Sequence, residues 1–183
     1  MLKGVIEAGV GALDVAIAVI LEVFGVFRKL RAEEKADARI VYKATVPLDD
    51  VQIFEGSFVS GMSDWFRDEA VPVTTMRIIH LPENFDTTTK GNRHTLIHEL
   101  GHVWQGEHTG PYYMGHSLFS QGTQGQAAYD YGGTSALTAN TTAGGKLDHF
   151  NPEQQAQIMA DYFQAKKDST STTPYDPYNA ELQ

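Results

Sequence analysis

The longest apolar run lies at the start of the chain. Residues 4–27 are mostly Val, Ile, Ala, Leu, Phe and Gly, with Lys3 before them and Arg28, Lys29 and Arg31 after. The length suits a membrane span, but Glu7, Asp14 and Glu22 interrupt it. A carboxylate near a bilayer centre costs about 2.5–3.5 kcal/mol on insertion scales. At a helical repeat, Lys3, Glu7, Asp14, Glu22 and Lys29 fall on one narrow stripe and the large apolar side chains point elsewhere. The pattern predicts a helix, or a broken pair of helices, with a thin polar seam and a wide apolar surface. Such faces are usually covered by protein, here the chain's own domain or a partner, with a membrane as the other occupant. The acidic interruptions and the lack of a clear A-x-A site argue against a cleaved signal peptide.

Residues 29–38 (KLRAEEKADA) read as an exposed helix end or linker. RIVYKATV, residues 39–46, alternates like a strand and stops at Pro47. Residues 48–70 fit either a helix closed by Gly56 or strand and turn. TTMRIIHL, residues 74–81, reads as a strand ended by Pro82. Residues 93–105 read as an amphipathic helix with Leu96, Ile97, Leu100, Val103 and Trp104 on its apolar positions and Asn92 as N-cap. From 106 to 148 the chain is rich in Gly, Thr, Tyr, Gln and Ser and shows no convincing element, which often marks a functional loop region. Asn151-Pro152 opens a helix over 152–167, and the polar stretch from Asp168 onwards reads as a mobile tail.

Composition narrows the chemistry. The 183 residues suffice for one domain with a hydrophobic core, and 42% apolar with 20% charged residues is a globular profile. A net charge of −9 without a Lys/Arg stripe disfavours nucleic acid as a partner. There is no cysteine, so disulfides, thiolate ligands and a thiol nucleophile are excluded, and the compartment stays open. Any metal must be held by His and carboxylate.

The sequence His98-Glu99-Leu100-Gly101-His102 sits inside the helix predicted over 93–105. Residues four apart share a helix face, with Cβ atoms about 5–6 Å apart, so two imidazoles can close on one zinc ion. Glu99 then lies beside the ion rather than on it, placed to take a proton from water as a general base. Gly101 costs its helix roughly 1 kcal/mol relative to Ala, which points to a close approach there, with the 152–167 helix as the natural neighbour. Hydrolytic zinc sites commonly add one carboxylate to two histidines. Glu153, in the first turn of the second helix, leads as third ligand; Asp161 is better placed to orient a histidine ring, and His149 is the remaining candidate. His94 and His102 would be about 12 Å apart along the helix, so His94, His98 and His102 cannot share one ion. Tyr129, Tyr131 and His116 are weaker candidates as oxyanion donors, with His80 and His108 behind them.

HELGHVWQ, followed by HSLFSQ, AYDYG and FNPEQQAQIMADYF, resembles a family of small bacterial zincin-like (HExxH) metallopeptidases associated with Rhs/Vgr-type secreted systems. That family reads HELTHVWQ, then a YDY segment, then N-x-EQQA-x-I-V-x-DYF. The resemblance spans about residues 74–165 and departs from the family at Gly101, where Thr is usual. It implies a metal on His98 and His102, Glu99 as general base, and a carboxylate from the EQQA helix, here Glu153. The expected architecture is α+β: a zincin-like domain over 39–167 with a small sheet, the HExxH helix and a second ligand-bearing helix. The apolar helical segment and linker (1–38) precede it and the tail (168–183) follows. The expected function is zinc-dependent hydrolysis of peptide bonds in a peptide or protein substrate. The alternative is a non-catalytic zinc-containing module, or a secreted effector-associated protein that docks on a partner or membrane through residues 4–27.

Overall fold

In a computed structural model, residues 27–56, 72–110 and 125–183 are described. Strand β1 (Phe27–Lys29) leads into helix α1 (Ala32–Tyr42), followed by β2 (Gln52–Glu55), β3 (Val73–Thr75) and β4 (Ile78–Leu81). Helix α2 (Lys90–Thr109) carries the HExxH sequence. A 3-10 turn (Gly125–Tyr129), helix α3 (Gly133–Thr142), a second 3-10 turn (Leu147–His149), helix α4 (Pro152–Lys167) and helix α5 (Asp176–Glu181) complete the order. The described residues are therefore α+β, with five α-helices and one small sheet.

The sheet runs β1-β2-β4-β3. β1 lies antiparallel to β2, β2 parallel to β4 with Ile53 opposite Ile79, and β3 antiparallel to β4 with Thr74 opposite Ile79. Ile53, Ile79 and Leu81 join Leu96, Ile97, Leu100 and Val103 of α2 and Ile158, Met159 and Phe163 of α4 in one buried core. Among the described elements, the two long helices pack against each other most extensively.

Several boundaries differ from the pattern. The strand expected over 39–46 is the last turns of α1 and the chain after it. Ala38, Val41 and Tyr42 are buried at the i, i+3, i+4 spacing of a helix face, which the alternation of residues 39–46 masks, and Lys43 at φ 47° ends the helix. The stretch 29–38, expected as an exposed helix end or linker, is helix from Ala32 onwards, with Glu34, Asp37 and Ala38 buried, so a division at 38/39 would cut a helix. The strand expected over 74–81 is a hairpin: Met76, at φ 53°, turns the chain between β3 and β4. α2 begins earlier than expected, capped by Thr89, whose Oγ1 accepts the Asn92 N–H at 3.3 Å. Within 106–148, α2 continues to Thr109 and α3 appears; only Leu137 of α3 is buried, so it has almost no apolar periodicity to read.

α4 occupies the expected range. Asn151 Oδ1 accepts the Gln154 N–H at 2.9 Å and Gln154 Oε1 accepts the Asn151 N–H at 3.0 Å, a reciprocal cap with Pro152 at the first turn. The tail expected to be mobile is instead anchored: α5 and its flanks bury Tyr175, Tyr178 and Leu182, and the Tyr178 hydroxyl donates to the Leu137 carbonyl at 2.8 Å. Of the apolar segment 4–27 only Phe27 is described, and it opens β1; the helix expected there otherwise lies outside the described residues. Among the described residues no helix is long and apolar enough to cross a membrane.

Candidate metal centre

α2 and α4 run antiparallel, so His98 and His102 of one meet the first turn of the other. His98 Nε2 lies 3.1 Å and His102 Nε2 3.4 Å from the same oxygen, Glu153 Oε2. A tetrahedral ion with ligands at about 2.0–2.1 Å has ligand–ligand edges of about 3.3 Å, so both distances are compatible with atoms that share one ion. His98, His102 and Glu153 could hold a metal ion, and all three are buried. Two imidazoles and a carboxylate form the donor set that this chemistry needs in a cysteine-free chain.

The electrostatics point the same way. Glu153 is 0% exposed, and a buried carboxylate is costly unless a cation compensates it. Burial would raise its pKa, but the charge on His102 and hydrogen bonds from both histidines hold it well below the usual carboxylate range. For His102 burial works to lower the pKa, yet the Glu153 carboxylate overrides it and lifts the group to about 9. In the metal-free state a proton on imidazole thus supplies the positive charge that the carboxylate requires.

Glu99 is 5% exposed and lies on the side of α2 that meets the sheet. The Thr74 hydroxyl on β3 donates to Glu99 Oε2 at 2.7 Å, so one carboxylate oxygen is tethered to the end strand of the sheet order. Gly101 allows the helices to meet: a Cβ there would stand 3.0 Å from Ala156 Cβ and 3.1 Å from Ala156 Cα. This is the close approach expected from a glycine inside the helix. Behind the ligands, His102 Nδ1 lies 2.8 Å from Gln105 Oε1.

The other candidates are placed elsewhere. Asp161 does not orient His98 or His102; its Oδ1 meets His94 Nε2 at 2.7 Å and its Oδ2 accepts the Tyr131 hydroxyl at 2.6 Å. Antiparallel packing moves Asp161 two turns away from Glu153, towards the start of α2. Tyr131 is thereby turned to Asp161, whereas the Tyr129 ring lies 5.6 Å from that of His98. His149 is exposed and contacts Asn140, His80 is buried in the sheet against Thr75, and His108 stacks on Trp104. His116 lies outside the described residues. Thr74 and Gln105 were not singled out from the sequence. The position of Gln105, three residues after His102, was a readable signal; Thr74 meets Glu99 only through the order of strands.

Residues 32–110 match the family model of the eCIS core domain, an extracellular contractile injection system core. The match takes in α1, the sheet from β2 to β4 and all of α2, hence His98, Glu99 and His102, but ends before Glu153. It is consistent with a family associated with secreted systems. No curated protein and no solved structure matches the chain.

Proposed function

We propose that this chain is a zincin-like zinc metallopeptidase of a secreted injection system, with His98, His102 and Glu153 holding the ion and Glu99 as general base. One observation carries the reading: both Nε2 atoms converge on a single buried Glu153 oxygen, with a second buried carboxylate, Glu99, adjacent on the same helix. Zinc held there would supply Lewis acidity, lowering the pKa of water towards 7 and polarising a peptide carbonyl. Glu99, held at Oε2 by the Thr74 hydroxyl, accepts the proton of the attacking water. Water oxygen bonds to the carbonyl carbon, the C–N bond breaks, and Glu99 returns the proton to the leaving amine. Among the described residues β3 ends the sheet order beside α2, which suits an extended peptide laid along that strand.

A second reading, a metal-holding binding module that cuts nothing, is favoured by the Tyr131 hydroxyl being committed to Asp161 rather than to the centre. Metal analysis and digestion of a broad peptide library, on wild type and Glu99→Gln, separate the two. The peptidase reading expects about one zinc per chain in both proteins and a loss of cleavage of at least ~100-fold in the variant. A zinc-loaded wild type that cleaves no peptide leaves the binding module standing.

A further inference from the structure

The amide of Gln105 has only one orientation that satisfies its neighbours, and that orientation reaches the metal centre. The chain of bonds starts at a main-chain carbonyl. Gln155 places its Nε2 2.8 Å from the carbonyl of Phe150, which can only accept, so this end of the Gln155 amide is the NH2 group. Its other end, Oε1, is therefore an acceptor, and it lies 3.1 Å from Gln105 Nε2. The same Gln105 nitrogen lies 2.9 Å from the Pro152 carbonyl, again an obligate acceptor. Two acceptors, one of them backbone, assign that atom as the NH2 group of Gln105. The opposite atom, Oε1, is then an acceptor, and the group it faces at 2.8 Å is His102 Nδ1.

An acceptor at that distance requires a hydrogen on Nδ1. With Nδ1–H donated to Gln105, the lone pair of a neutral His102 is on Nε2, the atom that points to Glu153. We infer that Gln105 is a positioning residue for the metal centre: it fixes the ring orientation and tautomer of His102 so that Nε2 faces the ion. Gln105 is buried, which protects the bond from water. Its two donated bonds end on Pro152 and Gln155, which flank Glu153 at the head of α4. One side chain thus ties the second histidine to the segment that bears the carboxylate, and both are aligned before a metal arrives. A carboxylate or carbonyl behind a ligating histidine commonly does this work, and its loss typically costs 10–100-fold in metal affinity.

The inference rests on the metal-centre reading above, and the test keeps the two apart. Gln105→Met keeps length and removes both acceptor and donors; Gln105→Glu keeps the acceptor oxygen and loses the donors. Zinc affinity is measured by chelator competition on wild type and both variants, and the His102 Nδ1–H resonance is followed by NMR on 15N-histidine-labelled protein, with and without zinc. Gln105→Met should bind zinc about 10–100-fold more weakly and lose the protected Nδ1–H signal, while Gln105→Glu, which keeps an acceptor for Nδ1 but loses the bonds to Pro152 and Gln155, keeps the signal. Wild-type affinity in Gln105→Met, or an Nδ1–H signal lost in Gln105→Glu, overturns the positioning role while leaving the zinc site intact. A wild type that binds no zinc refutes the metal centre itself. In that event the positioning role falls with it.

Discussion

Replacing Gly101 by alanine sets two magnitudes against each other. Alanine gains about 1 kcal/mol over glycine in a helix interior. The new methyl, however, would stand 3.0 Å from Ala156 Cβ, 3.1 Å from Ala156 Cα and 3.2 Å from the Tyr42 hydroxyl. Carbon–carbon contacts settle at about 3.5–4.0 Å, so α2 and α4 must part by about half an ångström at this crossing. None of the three neighbours yields easily. One is backbone, one is a β-carbon without a rotamer, and Tyr42 is held by its bond to the Ile97 carbonyl at 2.7 Å. Overpacking of this kind costs about 1–3 kcal/mol, which outweighs the propensity gain and leaves a net loss of about 1 kcal/mol. The more telling effect is on the ion. Glu153 lies one turn before Ala156 on the helix that is pushed away, so its oxygen moves off His98 and His102 and zinc affinity should fall at least about ten-fold. Denaturant melts in chelator report the first quantity and competition with a chromophoric chelator the second. Adding Ala156→Gly to Gly101→Ala removes the nearest contact and should restore part of the affinity, with little net gain in stability because glycine weakens α4 by about 1 kcal/mol. A Gly101→Ala protein that is more stable by the full propensity gain, with zinc affinity unchanged, would refute the close-packing argument.

The remaining predictions address the ligands, the base tether and the packing beyond the site. Glu153→Ala should weaken zinc binding in chelator competition far more than Asp161→Ala or His149→Ala, because only Glu153 shares a ligand triangle with the two histidines; the reverse ranking would move the third ligand. Thr74→Val should leave zinc content unchanged and lower peptide turnover about ten-fold by freeing the Glu99 carboxylate, read as kcat on a cleaved library peptide. His80 is pushed by burial from 6.5 down to about 4, so it is neutral in the fold where the unfolded chain is protonated. Its contribution to stability is present above 6.5 and lost as the pH falls from 6.5 through about 4; urea melts across that window should show a shallower slope for His80→Gln. Tyr178→Phe removes the hydroxyl that bonds the Leu137 carbonyl and Asn140 Oδ1 and should cost about 1 kcal/mol in thermal or denaturant unfolding, whereas a mobile tail would tolerate it.

What the sequence determined by itself is what depends on near neighbours along the chain. His98 and His102 share a face because a helix repeats every 3.6 residues, and Glu99 falls beside them for the same reason. Asn151, Pro152 and Gln154 announce the head of α4 because capping is settled within four residues. The absence of cysteine restricts any metal to His and carboxylate. Gly101 even announced a close neighbour, since an uncapped glycine inside a helix has a local cost that packing must offset.

Short-range reading failed where two periods coincide or where apolar positions are sparse. Residues 39–46 alternate like a strand while the buried Ala38, Val41 and Tyr42 recur at helical spacing, and packing of α1 against α2 and α4 decides for the helix. α3 and α5 bury few side chains, so their helical character depends on what they pack against rather than on pattern.

The site shows the same division. Three candidates for the third ligand stood within thirteen residues of one another. The antiparallel packing of α4 on α2 sends Glu153 to His98 and His102 and carries Asp161 to His94. Thr74 reaches Glu99 because β3 pairs with β4 at the end of the sheet, across twenty-five residues of chain. Gln105 gains its direction from the carbonyls of Phe150 and Pro152, through Gln155. Each of these contacts joins segments distant in sequence, and a hydrogen bond is set by position and angle in space, which only the packing of helices and strands defines.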